Sequence, residues 1–353
     1  MNLHDTYHRL EQDARDYADA DRVLRVVRRR RAVRTAAGAA FAALVIAGFG
    51  LQSLVRPSGD TIVAVPAMSA SPASYPALPA QGPVGQGAAV YTPCRDGCPT
   101  LLALADGRQY LLGAHTVTPP GNITLSPDGR WLGRPTENGY ELRDLLGDTV
   151  RRVAGVSPAT GETGYAYGPW AWSADSRRLI LAYHLDGNVG KYLDVDLETG
   201  VATAPPAPEG YEPVGILNPG DLVLLDVSQY EGVRREVKLR VGAVEVTFRA
   251  TADGVLADAD HGLTVQVRGD RIFLLEYTGE KVAVLQFDRK GALESRTPLA
   301  DGRYPVGPTP DGYAVVQVPR DQPNGRQRLL AGDRVLQEFP GEAEIVIPGG
   351  ARH

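Results

Sequence analysis

Apolar residues are distributed along the chain in two ways, and the change between them divides it. Over residues 35–55 they form one run without a charge, directly behind Arg28, Arg29, Arg30, Arg31 and Arg34. As a helix rising about 1.5 Å per residue, the run would be roughly 32 Å long and match the ~30 Å hydrocarbon core of a bilayer. From about Ala88 onward the apolar positions come in short stretches separated by Gly, Pro, Asp and Asn, the pattern of strands joined by tight turns. The expected layout is a basic cytoplasmic segment over 1–34, one transmembrane helix over 35–55, a Pro-, Ala- and Ser-rich disordered linker over 56–87, and an all-β domain over 88–353.

The β region repeats. A turn leading into an apolar strand recurs as Ser126-Pro127-Asp128-Gly129-Arg130-Trp131, Ala174-Asp175-Ser176-Arg177-Arg178-Leu179, Pro219-Gly220-Asp221-Leu222, Ala259-Asp260-His261-Gly262-Leu263 and Pro310-Asp311-Gly312-Tyr313. The aspartates of these corners lie 47, 46, 39 and 51 residues apart, the period of four-stranded propeller blades. Hairpins give a second register, with turns at Gly107, Gly147, Gly200, Gly242, Gly291 and Gly332, so there are six turns against five corners. If each blade runs from the axis outward, the first lacks its innermost strand, and residues 343–347 have no blade of their own. Placing that last stretch in the first blade completes six blades and removes open sheet edges. A six-bladed β-propeller is therefore expected, with seven blades as the alternative.

The stretch Leu125-Ser126-Pro127-Asp128-Gly129-Arg130-Trp131-Leu132 resembles the SPDG corner of WD40-like propellers of the TolB type, and Trp172-Ser173-Ala174-Asp175-Ser176 is a looser copy. The N-terminal layout resembles that of actinobacterial single-pass membrane proteins, some of which are encoded beside sigma factors. That resemblance implies a cytoplasmic protein partner for the first segment.

The flanking arginines place the N-terminus in the cytoplasm and the remainder outside the cell membrane. A cleaved signal peptide is the alternative, with small residues at Ala64-Val65-Pro66-Ala67. Leu3, Tyr7, Leu10, Ala14 and Tyr17 fall on one helical stripe, shaped either for a groove on a cytoplasmic protein or for a juxtamembrane helix against anionic lipid. Residues 1–34 carry nine Arg and six Asp or Glu, so the rest of the chain is acidic within a net charge of −5. An acidic exported part argues against nucleic acid as a partner. Cys94 and Cys98 flank Arg95-Asp96-Gly97, and a disulfide closing so short a loop is expected to contribute about 2 kcal/mol. A zinc site would need two further ligands.

On a propeller, the loops leaving one face around the axis are where function is expected. The connections between blades hold Tyr165, Tyr167, Trp170, Tyr211 and Tyr304, and those between second and third strands hold His184, Asp186, Asn188, Tyr192 and Tyr230. Tyr and Trp suit recognition of a protein or a cell-envelope glycan, or they pack over strand ends. Asp186, Asp194, Asp196 and Glu198 lack the spacing of a calcium loop and read as a solvated strand face. No H-E-x-x-H, G-x-S-x-G or phosphate-loop motif is present, and no cofactor or metal is expected. The expectation is a non-catalytic binding module; a transmembrane regulator and a glycan- or peptide-cleaving propeller are the alternatives.

Overall fold

The computed structural model of the chain describes residues 75–350, apart from 95–97, 115–122, 137–138, 154–166, 186–187, 231, 252, 259, 311, 319–325 and 341–342. The stripe Leu3, Tyr7, Leu10, Ala14 and Tyr17, the apolar run over 35–55 and the linker up to residue 74 lie outside the described residues. Among the described residues no helix is long and apolar enough to cross a membrane.

Successive strands follow the hairpin pattern read above. The first blade contains β1 (Gly87–Thr92), β2 (Pro99–Leu104) and β3 (Gln109–Ala114), and the second β4 (Thr124–Leu125), β5 (Trp131–Thr136), β6 (Gly139–Asp144) and β7 (Val150–Val153). The third holds β8 (Tyr167–Trp172), β9 (Arg178–Leu185), β10 (Asn188–Asp196) and β11 (Ala202–Thr203). The fourth holds β12 (Tyr211–Ile216), β13 (Leu222–Asp226), β14 (Glu236–Val241) and β15 (Val244–Arg249). The fifth holds β16 (Val265–Arg268), β17 (Arg271–Thr278), β18 (Lys281–Asp288) and β19 (Leu293–Pro298), and the sixth β20 (Arg303–Thr309), β21 (Gly312–Gln317), β22 (Gln327–Ala331) and β23 (Arg334–Phe339). The last strand, β24 (Glu344–Val346), returns to the first blade, whose order is β24-β1-β2-β3. It pairs antiparallel with β1 through Val90↔Val346, Tyr91↔Ile345 and Thr92↔Glu344. The chain is thus an all-β, six-bladed propeller closed by its final strand, as the count of turns against corners implied.

Each blade is buried on both faces because alternate side chains of a strand point to opposite neighbours. In β9, Leu179 and Leu181 join Trp131 and Leu142 of blade 2, whereas Ile180 and Ala182 join Ile216 and Leu224 of blade 4. In β17, Ile272 and Leu274 join Val223 and Leu239 of blade 4, whereas Phe273 and Leu275 pack with Tyr313 of blade 6. Val90 and Leu102 meet Leu125 and Leu132 across the seam of blades 1 and 2, and Tyr91 and Leu101 meet Ala314 and Leu329 across that of blades 1 and 6. Six seams therefore carry six apolar clusters, so packing closes the ring independently of the strand pairing. Burying one such Leu or Ile contributes about 1.5–3 kcal/mol.

All six hairpin glycines sit between the third and fourth strands of a blade, as expected. One corner does not hold. The turn between β16 and β17 is Gly269-Asp270, whereas Asp260 and His261 belong to the connection leading into blade 5. Gly269 has a φ of 62°, so this corner is a bare two-residue turn that needs none of the Ser and Pro chemistry of the others.

The segment expected to be a free linker as far as residue 87 is bound from Tyr75 on. Ala77 bridges in parallel to Leu111 on the outer strand of blade 1, and Val84 and Gly85 donate to the carbonyl of Leu145 in blade 2. Leu78 and Val84 fill the seam between these blades, and the buried Arg143 donates to the carbonyls of Pro79 and Gly82. Proline-rich composition without a period concealed three apolar anchors, Tyr75, Leu78 and Val84, that the blade edge can bury. Cys94 and Cys98 form the expected disulfide, with Cα atoms 5.6 Å apart, in the connection between β1 and β2.

Candidate functional site

The corners form one face of the ring, and their polar groups are spent on structure. Trp131 N donates to Ser126 Oγ at 2.8 Å, the Ser126 hydroxyl donates to Asp128 Oδ1, and Arg130 N donates to the same oxygen at 3.0 Å. Blade 3 repeats the network: Arg178 N to Ser173 Oγ at 2.9 Å, Ser173 Oγ to Asp175 Oδ1 at 2.6 Å, and Arg177 N to Asp175 Oδ1 at 3.1 Å. Ser176, at a φ of 60°, takes the place of Gly129 at 67°. These aspartates cap turns, which is the structural role their spacing allowed. Asp194 is paired with Arg178, and Asp196 accepts from Thr199 N at 2.7 Å, so neither is held toward a metal. Among the described residues no cluster of His, Cys, Asp or Glu could hold a metal ion.

Hydrogen bonds also tie corner to corner. Gly87 N donates to Gly129 O at 2.8 Å between blades 1 and 2, and Asp128 N to Ser176 Oγ at 3.1 Å between blades 2 and 3. Arg178 Nη1 donates to Gly220 O at 2.9 Å between blades 3 and 4, and Asn218 N to Gly269 O at 3.0 Å between blades 4 and 5.

The opposite face carries the aromatic candidates, though in strands rather than loops. Tyr167 and Trp170 lie in β8, Tyr211 in β12 and Tyr304 in β20, all innermost strands. These strands share a pattern that the repeat of corners did not reveal: Pro169-Trp170-Ala171, Pro213-Val214-Gly215 and Pro305-Val306-Gly307 each form a bulge against the second strand. Gly215 is required there, because a Cβ would stand 2.3 Å from Val267 of blade 5. His184, Asn188 and Tyr192 also lie in strands, because β9 runs on to Leu185 and β10 begins at Asn188. The side chains of Tyr167, His184 and Asn188, and all of Tyr165 and Asp186, are outside the described residues. Tyr230 ends a short 3-10 turn, Val227–Tyr230, between β13 and β14.

Three of the candidates come together at the seam of blades 3 and 4. Trp170 is 9% exposed, its Nε1 donates to the carbonyl of Pro213, and its ring meets that of Tyr192 edge-on at 5.8 Å. Tyr211 packs on the same cluster. The Tyr192 hydroxyl donates to Oε2 of Glu212 at 2.7 Å, a buried carboxylate that sequence reasoning passed over. Its signal was present, a charged residue between Tyr211 and Pro213 in an otherwise apolar strand. Tyr304 stands apart from this group in blade 6, 59% exposed.

Beside Tyr211 a polar cleft of about 240 Å³ opens on blade 4. Val237 and Leu239 of β14 face blade 5, so Glu236, Lys238 and Arg240 between them face the side of blade 3 and line the cleft. Asp226, Arg234 and Glu245 complete it. Gln229 fixes its rim by donating to Lys238 O and accepting from Lys238 N, both at 2.7 Å, and Lys238 pairs with Glu245 at 3.1 Å. The Ser228 hydroxyl and amide hold the Asp226 carboxyl below its ordinary range. The result is a preformed surface with acids and bases together beside one aromatic ring.

Other titratable groups on this side are already committed. Glu276, fully buried, accepts from Thr251 Oγ1 and from Arg296 Nε, each at 2.7 Å. Burial pushes its pKa up, but these hydrogen bonds outweigh it and hold the carboxyl below its usual range. That is the opposite of a carboxyl poised to give up a proton near neutral pH. His261 stacks on Tyr277 at 4.2 Å, with Nδ1 3.0 Å from Asp258 Oδ1.

No protein-family model matches the chain. No curated protein matches it. Among solved structures it is similar to TolB from Acinetobacter baumannii, at 19% identity over 76% of this chain and 67% of that one, with a TM-score of 0.45. A protein described as TolB from Agrobacterium tumefaciens is similar at 13% identity over 74% of this chain and 99% of that one, with a TM-score of 0.40. A puromycin hydrolase is similar at 17% identity over 66% of this chain and 41% of that one, with a TM-score of 0.33. Likeness at this level assigns no activity to the chain.

Proposed function

We propose that the chain is a membrane-tethered, extracytoplasmic β-propeller that binds a protein or cell-envelope glycan without chemical turnover. The tether is the uncharged run over residues 35–55, and the arginines before it orient the propeller outward. The observation that carries the reading is the cleft beside Tyr211, where Glu236, Lys238 and Arg240 of β14 stand with Asp226, Arg234 and Glu245, and where Gln229 holds the backbone of Lys238. An amphoteric wall with an aromatic edge offers hydrogen bonds and ion pairs to a polar chain, and its rigidity lowers the ordering cost of binding.

A charge swap separates recognition from folding. Lys238→Glu together with Glu245→Lys keeps the ion pair across β14 and β15 but inverts the local field, so stability should change by no more than about 0.5 kcal/mol. In a crosslinked pull-down of the full chain from intact membranes, the swap should lower recovery of envelope components about tenfold. Unchanged recovery would overturn the cleft as the site. Deleting residues 1–21 should leave the recovered components unchanged; loss of a cytoplasmic protein on deletion would favour a regulator acting through the stripe at Leu3 to Tyr17.

A further inference from the structure

One arginine crosses the whole ring. Arg268 ends β16, the innermost strand of blade 5, and its Nη1 donates to Pro308 O of blade 6 at 3.0 Å and to Pro348 O, just beyond β24 of blade 1, at 3.1 Å. Its Nη2 reaches Pro127 O at the corner of blade 2, at 3.4 Å. In a ring of six, blades 5 and 2 stand opposite one another, so a side chain that reaches from one to the other lies across the axis. All three acceptors are backbone carbonyls. Burial pushes the guanidinium pKa down. A half-buried cation with no carboxylate among these partners is costly unless its protons are well placed, and here carbonyl dipoles from three blades receive them.

The stretch over residues 348–350 fits beneath this guanidinium. Gly349 N donates to Leu125 O at 2.8 Å, and Thr124 Oγ1 donates to Gly350 O at 3.2 Å, so the stretch passes from blade 1 onto the inner strand of blade 2. Trp172 Nε1 of blade 3 donates to the same Thr124 hydroxyl at 2.7 Å. Gly349 has a φ of 76°, and a Cβ there would stand 2.9 Å from Arg268 Nη1 and 3.3 Å from Pro127 Cγ. Only glycine allows the turn and the close approach together.

We propose that Arg268 and residues 348–350 form an axial latch that seals the corner end of the propeller, so that β24 is held in blade 1 from the axis as well as by its pairing. The latch leaves the loop face as the entrance to the axis, and it opens when the stretch after β24 is withdrawn. It stands independently of what the loop face binds.

Hydrogen exchange on the full chain tests it. In Arg268→Met, peptides covering residues 343–350 and 123–129 should exchange about tenfold faster, while those covering β17 and β18 keep wild-type protection. Arg268→Lys should not restore protection, because one ammonium cannot reach the carbonyls of three blades at once as the guanidinium fork does. Should Arg268→Met fail to fold, Gly349→Ala displaces the turn while leaving Arg268 in place, and the same local loss is expected. Wild-type protection at 343–350 in the variant that folds would overturn the latch. A loss of equal size in all six blades would overturn it too, reducing Arg268 to a general stabilising contact.

Discussion

At the corner face, hydrogen bonds cross the seams from blade 1 through blade 5, and Arg268 joins blade 5 to blades 6, 1 and 2. At the opposite face, the seam of blades 3 and 4 is held by the packing of Trp170, Tyr192 and Tyr211, and its charged groups, apart from the buried Glu212, are gathered in an open cleft. The same strands supply both faces. At the corners of blades 2 and 3 the Ser and Asp side chains are tied into their own turns, although Arg130, Arg177 and Glu198 also line a cleft there, whereas the charged groups around Tyr211 stand in a cleft that no corner turn occupies. A propeller can therefore keep one face fixed as a base and leave the other free to vary.

The sharpest way to break this division is at Trp170, which lies on the loop side yet behaves as core. Trp170→Ala should lower stability by about 3–5 kcal/mol, because it removes a buried ring and leaves Pro213 O without its donor. The alanine test that suits an exposed binding aromatic therefore fails for this residue. Urea unfolding measures the effect, and a loss below about 1 kcal/mol would mean that the indole is replaceable by water. A smaller change sharpens the corner side. Ser126→Ala and Ser173→Ala each strip one hydroxyl from the same network, and each should cost about 1–2 kcal/mol. A difference between the two well beyond about 0.5 kcal/mol would show that the looser copy in blade 3 is not equivalent.

These contrasts also explain what could be read in advance. The six hairpin glycines, the corners of blades 2, 3, 4 and 6, and the return of β24 to blade 1 were legible because each depends on local turn chemistry or on counting strands. The corner of blade 5 was misplaced because Asp260-His261-Gly262 has the composition of a corner, whereas the true one is only Gly269-Asp270. The candidates Tyr167, Trp170, Tyr211 and Tyr304 were assigned to loops because the bulged inner strands begin with Tyr and Pro, residues also common in connections. Burial of Trp170 depends on Pro213, 43 positions away, and that proximity exists only once blades 3 and 4 have packed together. Arg268 gave no sequence signal at all, since its acceptors are the carbonyls of three prolines distant in the chain.

Site-specific photocrosslinking in intact cells tests the division of the two faces most directly. Benzophenone side chains replace Val233 or Tyr304 on the loop side, both well exposed, or Arg177 and Lys290 at the exposed turns of the corner side. The account predicts adducts with envelope protein or glycan from Val233, beside the cleft, fewer from Tyr304, and none from Arg177 or Lys290. Adducts confined to Arg177 and Lys290 would contradict it and make the corner face the working surface.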